Sequence, residues 1–452
     1  MAPSMLIEGG HVVTVDAAGT EHARGWIAVR DGRIVALGEG AAPSDVRDAF
    51  PDRIDASGAL VTPGLVNTHH HLYQWLTRGM AQDAILFDWL VALYPTWARI
   101  DADSVGAAAA GAMAVLARSG CTTVADHHYV FPRGAGDLVG AIVHEADDLG
   151  LRLTATRGSM DLGESDGGLP PDFAVETTDD ALTASAAAVT RYHDASPGSM
   201  VHVAIAPCSP FSVTSDLLRE SATLARDLGA RLHTHGSETV EEAAFCQERF
   251  GMGPTDYLED LGWLGADVWM AHCVHMSDHD IARFADTGTG VAHCPSSNAR
   301  LAAGISPVRA MVDAGVPVGL GVDGAASNEH GRLGGEIRQA VLAARLRDGA
   351  GAMSVRDSLR LATIGGARVL GREAEIGSLE PGKLADIAVW ELGAVEHAGI
   401  ADPVAALGLG SLPVLRRLLV HGRDVVADGR LVRADEAAIA RRVVAEGQRL
   451  RG

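Results

Sequence analysis

The stretch Val61-Thr-Pro-Gly-Leu-Val-Asn-Thr-His-His-His-Leu-Tyr-Gln74 decides how the rest of the chain is read. The apolar run Leu60–Val66 has the length of a buried strand, and it ends on His69, His70 and His71. Alternate side chains of a strand share a face, so His69 and His71 point one way and His70 the other. Two imidazoles on one face, at the C-terminal end of a strand, form half of a metal site. Three histidines in a loop carry no such meaning, and the rest of the chain has to decide between the two.

Outward from that stretch, between about residues 60 and 375, apolar β-like runs alternate with helical segments. The runs are Leu60–Val66, Cys121–Asp126, Leu151–Arg157, Met200–Ala206, Ala230–His235, Asp267–Cys273, Gly290–Cys294 and Pro317–Val322. Between them lie Ala-rich helical stretches such as Ala107–Ser119, Ala181–Tyr192 and Asp216–Leu228. Strands buried on both faces read as continuous apolar runs, and eight of them alternating with helices predict an α/β fold, a (β/α)8 TIM barrel, with a doubly wound sheet as the rival. The insertion 158–178, rich in Gly, Pro and Asp, is expected as a loop on the active face. Both ends of the chain read differently, as short strands broken by glycine, with Asp31-Gly32 a hairpin signal. They are expected to meet as one small β-sandwich domain from 1–58 and 376–434, flanking a barrel over 59–375, with a closing helix over 435–452.

With 452 residues, 47% of them hydrophobic, the chain is long enough for such a barrel and carries no disordered tract. A formal charge of −21 argues against a nucleic-acid partner, since phosphate contacts need basic patches. The five cysteines are dispersed and odd in number, as expected of reduced, buried thiols in a cytoplasmic protein. Neither a signal peptide nor a membrane span is expected.

Polar residues recur at the C-terminal ends of the proposed strands, the edge where a barrel gathers its catalytic groups. The first ends in His69-x-His71, the fifth in His233-Thr-His235-Gly-Ser-Glu238, the sixth in His272-Cys-Val-His275 and the eighth in Asp323-Gly. Three imidazoles (His69, His71, His235) and the Asp323 carboxylate make a set for one divalent metal, zinc first and iron as the alternative, with a position left for water. Ordinary structural roles are open to the others. His233 is expected to face the helices or pack in a lower layer, and His70 and His275 to serve in loops. His127 and His128 end the second strand, where either could line the site, and His202 and His293 read equally as core residues.

These residues carry a family resemblance. Pro63-Gly-Leu-Val-Asn-Thr-His69-x-His71, His235-x-x-Glu238, Ala271-His272-Cys273, Cys294-Pro-x-Ser-Asn298, Gly321-x-Asp323-Gly-Ala-Ala-Ser327-Asn328 and Ile376-Gly-Ser-Leu-Glu-Pro-Gly-Lys383-Leu-Ala-Asp386 together resemble the metal-dependent amidohydrolase superfamily, in its mononuclear nucleobase-deaminase branch. The resemblance spans essentially the whole chain. It implies His69, His71, His235 and Asp323 as metal ligands, Glu238 as the proton shuttle to a ring nitrogen, and His272 as the group that polarises or orients the attacking water. Asp323 would take the water's proton and pass it to the departing amine. The run Val201–Pro207 holds no lysine, so the bridging carboxylated lysine of binuclear relatives has no candidate. A homo-oligomer is expected by the same resemblance.

Further stretches resemble the 8-oxoguanine deaminases: Leu72-Tyr-Gln74-x-x-Thr-Arg78, Arg157-Gly-Ser-Met160, Asp166-Gly-Gly-Leu-Pro-Pro171, Ala206-Pro-Cys-Ser-Pro-Phe-Ser212 and Cys246-Gln-Glu-Arg-Phe-Gly251. They imply an oxidised guanine as substrate and urate plus ammonia as products. Gln74 can both donate and accept, which suits a purine edge, and could equally fix its loop. Arg157 is a second candidate for substrate binding and could equally pair with the acidic loop after it. A guanine, isoxanthopterin or other pterin deaminase, or a triazine aminohydrolase, would use the same metal set. A barrel scaffold without chemistry would be expected to lose metal ligands, and none is missing.

Overall fold

A computed structural model describes residues 4–452; the first three residues of the expected small domain lie outside the described residues. Eight parallel strands form one sheet in sequential order: β1 (Leu65–Asn67), β2 (Cys121–Ala125), β3 (Arg152–Ser159), β4 (Val201–Pro207), β5 (Leu232–Gly236), β6 (Val268–His272), β7 (Gly290–His293) and β8 (Val318–Leu320). Helices pack between successive strands, among them Ala102–Arg118, Thr178–Tyr192 and Ser215–Asp227, close to where the Ala-rich stretches predict them. Closure of the barrel happens just past the two outer strands. The Thr68 amide donates to the Leu320 carbonyl at 3.0 Å and the Asp323 amide to the His69 carbonyl at 3.1 Å. The Asn67 side chain adds a 2.9 Å acceptor for the Val322 amide. The seam of the barrel is therefore sealed by the same residues that carry the candidate ligands.

A second, largely antiparallel sheet joins the two chain ends. Its first arm holds Ser4–Val13, Glu21–Arg30 and Arg33–Glu39, and its second holds Ile387–Glu391, Val414–Val420, Arg423–Ala427 and Arg430–Leu431. The Asp31-Gly32 turn forms as expected, with both residues at positive φ (53° and 75°) as a tight hairpin between right-twisted strands requires. Ile7, Ile27 and Val29 from one arm pack in one cluster with Ile387, Val389 and Leu419 from the other, which gives the expected sandwich its core. The Arg152 guanidinium at the foot of β3 pairs with the buried Asp386 carboxylate and so ties the barrel to this sheet.

The expected single strand Leu60–Val66 is two strands in two sheets. Ala59–Pro63 belongs to the small domain, where it pairs with Ser4–Val13 on one side and Ile387–Glu391 on the other. Only Leu65–Asn67 belongs to the barrel, and the expected boundary at residue 59 falls one strand early. Gly64 makes the break. A Cβ there would lie 2.2 Å from the Thr122 methyl, so only glycine lets the chain cross so close to β2. The final helix spans Glu436–Arg451. Among the described residues no helix is long and apolar enough to cross a membrane, and all five cysteines are free and buried.

Candidate metal and active site

His69 and His71 follow β1, His235 lies at the end of β5 with Glu238 just after it, His272 ends β6 and Asp323 follows β8, so the barrel brings all six to one end. Donor atoms within 4.8 Å of one another occur in two overlapping groups, His69, His71, His127 and His235, and His69, His272 and Asp323. The Asp323 Oδ1 atom lies 3.2 Å from Nε2 of both His69 and His71, and the Nε2 atoms of His71 and His235 are 3.1 Å apart.

Each imidazole is fixed from behind through Nδ1. That of His71 meets the His127 carbonyl at 2.6 Å and that of His235 the Cys208 carbonyl at 2.7 Å. A carbonyl only accepts, so both Nδ1 atoms carry hydrogen and both Nε2 atoms present lone pairs. For His69 the partner is His233 Nε2 at 2.8 Å. His233 spends its own Nδ1–H on the Trp269 carbonyl at 2.9 Å, which leaves its Nε2 as an acceptor and assigns His69 the same tautomer. His233 therefore lies one layer below the candidate ligands, inside the barrel, and orients one of them. This is the arrangement by which ligating histidines are held and made more basic.

The electrostatics then call for a cation. Burial drives His69 to its neutral form, far below the ordinary histidine range. Burial also opposes the charge on Asp323, and its carboxyl would be held well below the usual range only by hydrogen bonds donated from His69 and His71. Those bonds need a proton on Nε2, which the tautomers just assigned do not supply. His69 Nε2 and Asp323 Oδ1 are both buried without a hydrogen-bond partner, two acceptors facing each other. A divalent cation among these N and O donors satisfies both.

Asp323 Oδ2 is anchored separately, by the Ser297 hydroxyl at 2.5 Å and the Ser327 hydroxyl at 3.2 Å. Glu238 is buried, and burial, with Asp323 and Glu242 nearby, raises its carboxyl well above the ordinary value. His272 Nε2 lies 3.6 Å from Glu238 and 3.9 Å from Asp323. Backbone strain concentrates here, with Ser237, His272, Cys273 and Asp323 all at positive φ (52°, 73°, 46° and 63°). Glu242 supports the Ser237–Glu238 turn by accepting both backbone N–H groups at 2.9 and 2.8 Å. The spacing Thr239-x-x-Glu242 is a helix-start signal in the sequence that could have found it.

Above the donor cluster a narrow cavity is lined by Gln74, Tyr129, Cys208, Glu238 and His272, and walled by Leu86, Trp89, Leu90, Phe211 and Leu301. The apolar wall from helix Leu86–Trp97 escaped the reading of the sequence, although residues 86, 89, 90, 93 and 97 follow a helical period. The Gln74 amide is fully buried and neither its oxygen nor its nitrogen has a partner. Arg157 is elsewhere, and its expected place against the substrate needs correction. Its guanidinium lies 2.6 Å from Glu176 and stacks 3.6 Å over the Phe131 ring, in a separate surface cleft. The acidic loop after β3 captures it.

Of the other histidines, His127, His128 and His275 have structural partners. His127 stacks on His235 at 4.7 Å and gives Nε2 to the Ala206 carbonyl. His128 bonds the Val130 carbonyl and His275 the Ala303 carbonyl. His70 is buried with both ring nitrogens unpartnered, and burial pushes it down to about 3. His202 stacks on His193 near the surface.

Residues 60–427 match the amidohydrolase family. An 8-oxoguanine deaminase of Pseudomonas aeruginosa is 46% identical over 93% of each chain. An isoxanthopterin deaminase of an unknown prokaryotic organism is 38% identical over 98% of this chain and 97% of its own. Among solved structures, the zinc complex of an atrazine chlorohydrolase from Arthrobacter aurescens TC1 superposes with a TM-score of 0.93 at 34% identity, covering 98% of this chain and 100% of that one.

Proposed function

The chain belongs to the amidohydrolase family, and from that premise we propose that this hydrolytic deaminase acts on 8-oxoguanine, releasing the 2-amino group as ammonia and leaving urate. The observation that carries the choice of ring is Gln74. Its amide offers one acceptor and a donor pair, all unspent, in a cavity with apolar walls next to the donor cluster. That suits a flat heterocycle presenting a donor and an acceptor on one edge. Neither arginine nor lysine lines the cavity, which fits an uncharged free base better than a phosphorylated nucleotide. The similarity to an 8-oxoguanine deaminase along nearly the whole chain supports the same ring.

In this reading His69, His71, His235 and Asp323 hold one divalent cation, zinc by likeness to the zinc-bound relative, with iron also suited to the donors. The ion, when bound, supplies a water acidic enough to attack at neutral pH. Glu238, whose carboxyl burial and the nearby Asp323 and Glu242 raise well above the ordinary value, donates to the ring nitrogen beside the carbon under attack. His272 orients the water through Nε2. Asp323 accepts the water's proton and returns it to the leaving amine, while the Ser297 and Ser327 hydroxyls hold its Oδ2 in place.

The test is an ammonia-release screen across 8-oxoguanine, guanine, isoxanthopterin, isocytosine and hydroxylated triazines. Preference for 8-oxoguanine is expected; preference for a pterin or a triazine would overturn the ring and leave the reaction class standing. Glu238→Gln should abolish turnover with the metal still bound, and surviving activity would remove Glu238 from the proton path.

A further inference from the structure

We propose that Asn298 sets the tautomer of His272 and is thereby a positioning residue for the reaction, an inference that rests on the deaminase reading above. The motif Cys294-Pro-Ser-Ser-Asn298 follows β7 and opens the short helix Pro295–Arg300. Its backbone is pinned, since the Ser296 amide donates to Glu336 at 3.1 Å and the Asn298 amide to the Cys294 carbonyl at 3.0 Å. Glu336 in turn accepts from the Asn328 side chain at 2.9 Å, so the helix is tied to the segment that follows Asp323. From this frame the Asn298 Oδ1 atom meets His272 Nδ1 at 2.8 Å.

The other half of the amide shows what the residue is for. Asn298 is 2% exposed, and its Nδ2 has no partner. A bare buried N–H group costs stability, and a leucine of similar shape would avoid that cost. The oxygen is thus the part the site uses, and an amide oxygen can only accept. Nδ1 of His272 therefore carries hydrogen, and Nε2 turns a lone pair towards Glu238 and Asp323 in the cavity. A reversed amide would protonate Nε2 and put a donor where the reaction needs an acceptor. The positive φ of His272 and Cys273 and the 3.1 Å bond from the Cys273 amide to the Gly236 carbonyl fix where the ring is presented. Choice of tautomer is then left to Asn298.

Histidine-selective 15N NMR of the zinc-loaded enzyme reads the tautomer directly, with the His272 signals identified by their loss in His272→Gln. We expect hydrogen on Nδ1 in the parent. Asn298→Leu should lose that state and lower kcat about 10- to 100-fold, with KM and zinc content unchanged. Asn298→Asp, which keeps an accepting oxygen, should retain the Nδ1–H tautomer and recover part of kcat. Hydrogen on Nε2 in the parent would overturn the proposal, as would a leucine variant with parental kcat or an aspartate variant no better than leucine. The NMR arm needs no substrate. Failure of every base to release ammonia would therefore sink the deaminase reading while the tautomer is still measured.

Discussion

Gly324 and Gln74 give the sharpest test of the substrate-reading role. A Cβ on residue 324 would lie 1.8 Å from Gln74 Oε1 and 2.4 Å from its Cδ. Carbon contacts settle near 3.5 Å, so the amide would have to withdraw by roughly 1.5 Å. The backbone is not the obstacle, since Gly324 is absent from the positions at positive φ. Misplacement on the order of 1 Å can cost about 100-fold, and Gly324→Ala should therefore lower kcat/KM for 8-oxoguanine by about 10- to 100-fold. Gln74→Ala removes two neutral hydrogen bonds to the ring, each worth about 1 kcal/mol, and should lower kcat/KM about 30-fold. The double variant should behave like Gln74→Ala alone, because the space the new methyl needs is then free. Steady-state kinetics on the four proteins, with thermal midpoints as a check on folding, complete the cycle. Additive losses, or a Gly324→Ala enzyme as active as the parent, would refute the assignment of Gln74 to the substrate.

Other consequences follow from the same geometry. Replacing His233 by Phe removes the acceptor that fixes His69; zinc affinity should fall about 10- to 100-fold in chelator competition, and unchanged affinity would contradict the tautomer chain. Arg157→Met should leave kcat/KM nearly unchanged and lower the thermal midpoint, since a half-buried Glu176 loses its partner; a large kinetic defect with normal stability would return Arg157 to the substrate. Burial raises the Asp126 carboxyl from 3.8 to about 7. A folded state that holds this proton more tightly than the unfolded chain has its contribution intact below 3.8, and loses it as pH rises towards 7. Asp126→Asn should remove as much as about 4 kcal/mol of that loss in denaturation at pH 4 and pH 8; an identical pH dependence in parent and variant would show that Asp126 is charged in the fold.

The strand-end residues were legible because period two and the barrel's active edge both act through local sequence. Period two bears on His233 as well. Positions two apart share a face, so His233 had to lie with His235 inside the barrel, and the helical layer was never open to it. Gly64 is different. A seven-residue apolar run looks like one strand, and nothing local tells that Ala59–Pro63 pairs with strands at both chain ends. Arg157 was undecidable for a similar reason. Its direction is set by Glu176, across a loop whose path the sequence does not encode in any short-range pattern. Asn298 and Ser297 were visible as a motif, but their partners sit on β6 and after β8, and only the closed barrel brings the three together.

The stretch that carries His69, His71 and Gln74 is braced on every side, and this bears on how such a site changes its ring. The His127 carbonyl holds His71, and the Asp126 side chain accepts the Leu72 amide at 2.7 Å. The short helix Leu72–Thr77 is then held at its far end, where Trp97 donates to the Thr77 hydroxyl and Arg451 of the final helix to the Leu76 carbonyl. Ligands and reading amide thus form one body, and moving Gln74 to suit a larger ring would disturb the donor cluster with it. The opposite wall has fewer such ties. Leu86, Trp89 and Leu90 come from one helix whose Trp89 indole donates to the Ala326 carbonyl at 3.2 Å. Substitutions there can reshape the space over the metal without touching a ligand or its partner, so room for a larger ring is expected to be set by that helix while Gln74 reads the ring's edge.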